Sequence, residues 1–168
     1  MSYTCRAADA LAPATGPACA HISTFSGMFE SPTDRAQRMN EFFSAKAPGL
    51  HGAVFDYAAT DEVRGHIEVS DALIAGTGFL FAPAIISLAD TLCAIGCGAN
   101  IPEGASFTTV ELKVNFLGSA KEGERVTAVA TPLHLGRSTH VWDVDVHNET
   151  RDRTIAAFRC TQMVLHPS

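Results

Sequence analysis

The sequence predicts an α+β fold in which an antiparallel sheet wraps one very apolar helix. Three observations lead there. Between Asp71 and Glu103 the only charged side chain is Asp90, and from about Ala82 to Cys97 the pattern is apolar all round, as in a core helix. On either side of that run, apolar and polar residues alternate with period two, the mark of half-buried strands. Turn chemistry recurs between the alternating runs, which argues antiparallel hairpins. Helices on one face of such a sheet form an α+β layer solution.

The chain has 168 residues, 46% hydrophobic and 18% charged. That length suits one domain with enough core to need no staples. Its 12 basic and 18 acidic residues give a net charge of −6, which argues against nucleic acid and against an anionic membrane surface as partner. The five cysteines are odd in number and form no disulfide framework. They read as free thiols in a reducing compartment, the cytoplasm. The N-terminus lacks a basic segment followed by an apolar one, so no signal peptide is expected.

Residues 1–31, rich in Ala, Thr, Ser, Gly and Pro, read as an irregular N-terminal arm, and 32–168 as a single domain with a short leading helix. Ser31-Pro32-Thr33-Asp34 opens that helix, Met39, Phe42 and Phe43 give it an apolar stripe, and Pro48-Gly49 is expected to end it. Ala53, Phe55 and Tyr57 mark a first strand, and Val63, Gly65, Ile67 and Val69 a second. The apolar helix follows, with Gly96 and Gly98 expected to stop it. The remainder reads as a four-strand meander. Val110, Leu112, Val114 and Phe116 alternate with Glu111, Lys113 and Asn115; the later runs are Val126–Leu133, a strand carrying Trp142, Val144 and Val146, and Ile155–Leu165. Trp142 is expected in the core.

Asp90 is the most informative residue. Asp is a poor helix former and is almost never buried unpaired, yet it sits two turns into the most apolar helix. A carboxylate in such a place is a candidate general base or nucleophile; a structural carboxylate bonded to backbone or Arg is the alternative. At the start of the helix, Phe79-Leu80-Phe81-Ala82-Pro83 offers no capping side chain. The free N–H of Ala82 is a candidate oxyanion donor. By helical rise, Ala82 and Asp90 lie ~12 Å apart along the axis, so both serving one carbonyl requires a second chain or a substrate lying across the helix. Cys93 and Cys97, four apart on the helix, read as small core hydrophobes rather than a metal pair. The histidines are scattered, with His134 and His140 flanking the Gly136-Arg137 turn.

Three segments together, Phe81-Ala82-Pro83 followed by Asp90-Thr91, Thr109-Val110-Glu111-Leu112-Lys113-Val114-Asn115-Phe116-Leu117, and Leu135-Gly136-Arg137-Ser138-Thr139, resemble the PaaI-type hotdog thioesterases. The resemblance runs through residues 50–166. It implies a long central helix wrapped by a curved antiparallel sheet, assembled as homodimers or homotetramers with active sites at the subunit interface. It also implies hydrolysis of acyl-CoA thioesters with no cofactor, since CoA is part of the substrate, and no metal. Asp90 falls on the family's catalytic carboxylate and Ala82 on its oxyanion-hole N–H, supplied in the family by different subunits. Thr91 follows the carboxylate within the same motif. Asn115 and Phe116 fall on the strand beside the pantetheine, and Gly136, Arg137 and Ser138 on the turn near the CoA phosphates. Phe79 and Phe81 would line the mouth of the site, suiting aromatic or fatty acyl groups. Where the family carries His-Gly-Gly, this chain has Phe81-Ala82-Pro83: the imidazole is missing and Pro83 removes one N–H, while Ala82 keeps its own.

Two other readings stand beside hydrolysis. A non-catalytic acyl-CoA binding module of the same fold has no need of Asp90. A hydratase needs a carboxylate–His pair at the helix, and no His lies between His66 and His134.

Overall fold

Ser31 starts the first helix by capping it: its Oγ accepts from the Asp34 N–H at 3.1 Å, and Pro32 takes a first-turn position whose missing N–H costs nothing. The computed structural model describes residues 31–167; the N-terminal arm, with Cys5 and Cys19, falls outside the described residues except for Ser31. Helix α1, Pro32–Phe43, turns Ala36, Met39 and Phe43 into the core. Pro48-Gly49 does not end it. α1 stops at Phe43, and both residues sit inside a one-turn helix α2, Ala47–Leu50. Gly49 packs so close to the Phe43 carbonyl that no Cβ would fit, so the dipeptide marks a close crossing.

Strands β1 (Ala53–Ala58) and β2 (Val63–Glu68) form an antiparallel pair. Helix α3, Ala82–Asn100, follows. Then come β3 (Ser106–Phe116), β4 (Arg125–Leu135), β5 (Thr139–Asn148) and β6 (Arg153–Leu165). The six strands form one sheet in the order β1-β2-β4-β5-β6-β3, antiparallel throughout.

The last four strands are therefore not a simple meander. β4, β5 and β6 are, but β3 crosses to the far edge and pairs with β6. Alternation sets the face a side chain takes, not the neighbour a strand chooses. The link over residues 117–124 is longer than the about two- to five-residue loop of a hairpin, and that length accommodates the crossover.

α3 touches all six strands. Six strands at about 4.8 Å spacing span ~24 Å, more than twice the about 10 Å diameter of a helix, so the sheet must curl around it. Leu88, Leu92 and Ile95 of α3 meet Val126, Ala128 and Ala130 of β4, Val144 and Val146 of β5 and Phe158 of β6 in one buried cluster. α3 is long and apolar enough to cross a membrane, but here the sheet takes up most of its surface.

α3 does not stop at Gly96 or Gly98; it continues to Asn100. Gly96 is there for contact: a Cβ at this position would come within 2.7 Å of Cζ2 and Cζ3 of Trp142. Trp142 is wholly buried, as its place on a strand predicts.

Candidate active site

Asp90 lies on a stripe of α3, with Pro83, Ile86, Ser87 and Ala94, that the sheet leaves partly open. Spacings of three and four put these residues on one helix face. The apolar run around Asp90 predicts a buried carboxylate, and the structure corrects this: Asp90 is half-buried, because its stripe turns toward the β3 edge, where the sheet ends. Its Oδ1 accepts from Thr109 Oγ1 of β3 at 3.2 Å and from Cys160 Sγ of β6 at 3.6 Å. Oδ2 has no hydrogen-bond partner among the described residues.

Sequence reasoning missed both partners. Thr109 has the same parity as Glu111 and Lys113, which would aim it away from the helix. A bulge between Thr109 and Glu111 shifts the register and turns Thr109 inward; strict period-two reading cannot detect that. Cys160 shares the parity of core residue Phe158, so its inward face was legible, but its contact with Asp90 was not.

At the start of α3 no side chain caps Phe81. The Leu80 N–H bonds the Ala120 carbonyl and the Phe81 N–H the Leu73 carbonyl, both at 2.8 Å, which pins this segment in place. The Ala82 N–H finds no backbone or side-chain acceptor among the described residues, and Pro83 has none to offer. A donor is thus left free at the positive end of a 19-residue helix. Phe79 and Phe81 beside it are 38% and 45% exposed.

The other expected site residues fall into two groups. Asn115 and Phe116, both exposed, end β3 just before the segment that anchors Leu80. They lie six and seven residues from Thr109, roughly 20 Å along the strand. Gly136, Arg137 and Ser138 form the β4–β5 hairpin tip. Gly136 N–H donates to Thr139 O at 2.9 Å, Val164 N–H to Ser138 O at 2.9 Å, and His166 Nε2 lies 2.9 Å from Arg137 O. This tip belongs to Asp90's end of the sheet, since Gln162 pairs with Thr109 on one side and His140 on the other. The chain therefore holds Ala82, Phe79, Phe81, Asn115 and Phe116 toward one end, and Asp90, Thr109 and the Gly136-Arg137-Ser138 turn toward the other. Thr91 reaches neither group: it is buried and donates its hydroxyl to Ser87 O at 2.6 Å within the helix.

Burial, with the Cys160 thiol beside it, raises Cys93 well above the ordinary thiol range. Burial, with a smaller contribution from Cys160, pushes Cys97 up to about 12. Both stay protonated at neutral pH, which suits core thiols and neither nucleophiles nor ligands. His140 is buried with Nδ1 unpartnered. Burial lowers its pKa, His134 adds to that, and the Gly136 backbone opposes it. A cavity of about 480 Å³ lined by Lys113, Asn115, Asp143 and Arg159 lies on the opposite face of the sheet, away from Asp90, so the sequence-predicted Asn115 does not share the face of Asp90.

A carboxylate with one free oxygen and an uncapped helix N–H are the two groups that acyl transfer to water requires. The comparisons with known proteins agree with that chemistry. The model of the thioesterase superfamily matches residues 77–155. A 1,4-dihydroxy-2-naphthoyl-CoA hydrolase from Listeria monocytogenes is 30% identical over 95 residues, 56% of this chain and 76% of its own. The protein of the same name from Escherichia coli is 29% identical over 130 residues, 77% and 93% of the two chains. Among solved structures, a mutant thioesterase from Pseudomonas aeruginosa superposes with a TM-score of 0.72 at 26% identity, covering 77% of this chain and 93% of its own.

Proposed function

The chain belongs to the thioesterase superfamily, and we propose that Asp90 is the carboxylate with which this acyl-CoA thioesterase hydrolyses its substrate. The observation that carries the reading is the half-open carboxylate on an otherwise apolar hotdog helix, with Oδ2 unpartnered. Oδ2 takes a proton from water as the water oxygen bonds to the thioester carbon, or itself bonds to that carbon, in which case loss of the thiolate leaves an anhydride that water opens last. Either way the carbonyl oxygen gains charge, and an Ala82 N–H receives it. The C–S bond then breaks. A thiol of pKa about 8.5 leaves as thiolate without strong acid assistance, and the proton reaches it from Asp90 or solvent.

Ala82 and Asp90 of one helix are too far apart to serve one carbonyl, so the proposed enzyme is a homo-oligomer. β3 supports this: it is an edge strand with one side unpaired, and Val110, Leu112 and Phe116 on it, with Leu117 just past its end, are exposed. An open apolar edge is a template for another strand. Antiparallel pairing of two β3 edges sets the Ala82 end of one protomer beside the Asp90 end of its partner. The composite site would then use Phe116 along the pantetheine, and Gly136, Arg137 and Ser138 at the phosphates, while Asn115 turns to the opposite face of the sheet. The Arg137 side chain is exposed and makes no ion pair among the described residues. Phe79 and Phe81 at the mouth favour an aromatic acyl group, as in the two naphthoyl-CoA hydrolases among its relatives.

The test is thiol release from aromatic and aliphatic acyl-CoAs by wild type and Asp90→Asn. Loss of a general base or nucleophile should lower kcat by on the order of 10²–10⁴ in a folded protein. An Asp90→Asn enzyme with full activity would overturn the assignment. Faster turnover of aliphatic than aromatic esters would overturn the acyl preference.

A further inference from the structure

Cys160 is, with Thr109, one of the two groups that the site geometry adds beside Asp90, and the composite site makes no use of it. It is wholly buried on β6, its Sγ lies 3.6 Å from Asp90 Oδ1, and no other acceptor is closer to it among the described residues. Behind it stands Cys93 of α3, also wholly buried. Its thiol contacts that of Cys160 and stays protonated under burial and that contact. Cys160 is thus left to donate toward the carboxylate, and Cys93 packs behind it without a bond to Asp90.

We propose that Cys160 is a positioning residue for hydrolysis: its S–H, with the Thr109 hydroxyl, binds Oδ1 of Asp90 and leaves Oδ2 to meet water or the thioester carbon. This rests on the assignment of Asp90 made above. A carboxylate on a helix rotates freely about its last torsion. Two donors arriving at one oxygen from two strands, β3 and β6, fix which oxygen faces the substrate. A thiol is a weak donor, but here it is wholly buried, where the low dielectric strengthens a hydrogen bond to a carboxylate oxygen. A small apolar side chain would fill the same space without that bond, which makes the proposal separable from packing.

Steady-state kinetics on Cys160→Ala, Cys160→Val, Cys160→Ser and Cys93→Ala, each with its thermal midpoint, test it. Both apolar variants at 160 should lower kcat about 5- to 20-fold with KM within twofold, and Cys160→Ser, which keeps a donor, should recover kcat to within threefold of wild type. Cys93→Ala loosens the same part of the core without touching Asp90 and should leave kcat within twofold. Equal kcat losses in Ala, Ser and Cys93→Ala, or full activity in a folded Cys160→Ala or Cys160→Val, would overturn the proposal. Should both apolar variants fail to fold, Cys160→Ser decides alone, and a kcat more than tenfold down overturns it. Asp90→Asn run alongside separates the two failures. If it is active, the assignment of Asp90 falls; if it is inactive while Cys160→Val is fully active, only the role of Cys160 falls.

Discussion

Gly96 lets the indole of Trp142 press against the backbone of the central helix, with ring carbons 2.7 Å from where a Cβ would sit. Two effects compete in Gly96→Ala. Alanine gains about 1 kcal/mol of helix propensity, whereas forcing a methyl into a filled core costs about 1–3 kcal/mol. Trp142 is wholly buried and has nowhere to move, so the clash wins. The expected result is a lower thermal midpoint, by ~2–4 °C per kcal/mol at this chain length. An unchanged or raised midpoint would show that the indole yields.

Ala82→Pro removes one N–H and little else. Proline is favoured in the first helical turn, and Ala82 opens α3 directly before Pro83. Folding should therefore survive while the proposed oxyanion donor is lost. Losing one such donor costs on the order of 10²–10³ in kcat. Ala82→Gly, which keeps the N–H, should stay near wild type. Equal kinetics for the two variants would remove Ala82 from the chemistry.

Thr109→Val keeps the shape of the side chain and deletes the hydroxyl that meets Asp90 Oδ1 at 3.2 Å. A hydrogen bond to a charged group contributes about 1.5–3 kcal/mol, less where the pair is half exposed. The expected loss in kcat is about tenfold, with Thr109→Ser near wild type. A Thr109→Val enzyme as fast as the parent would leave Cys160 and solvent as the only partners that matter to Oδ1.

The helix around Asp90, the strand faces and the uncapped N–H of Ala82 were legible because each rests on a local signal: period two, an all-apolar run, a missing cap. What was not legible depends on contacts between distant segments. Gly96 and Gly98 carry the residue type of a helix stop, and only the indole reveals Gly96 as a packing residue. Thr109 carries the parity of an outward residue, and only the bulge turns it to Asp90. The crossover of β3 past β4, β5 and β6 leaves its own alternation untouched. Leu112 and Phe116 belong to the alternating apolar face of β3 yet are exposed, because alternation reports an apolar face without saying which chain covers it.

His140 should make stability fall as the solution becomes acidic. It is buried with Nδ1 unpartnered, and burial, then His134, holds its pKa below the usual 6.5, with the Gly136 backbone pulling the other way. Between the lowered pKa of the folded state and 6.5, the unfolded chain binds a proton that the folded chain refuses. Stability therefore rises with pH across that window. It is complete above about 6.5 and is lost as pH falls toward the folded value. The measurement is a difference: thermal midpoints of wild type and His140→Phe from pH 7.5 down to pH 5. The wild type should fall more steeply below pH 6.5, and the variant should lose that part of the slope. His140 pairs with Leu135 across the hairpin that carries Gly136, Arg137 and Ser138. The same protonation should therefore loosen the proposed phosphate turn, and KM for the acyl-CoA should rise over that pH range in wild type more than in His140→Phe. Parallel midpoint curves for the two proteins would mean that the buried imidazole takes up its proton without cost.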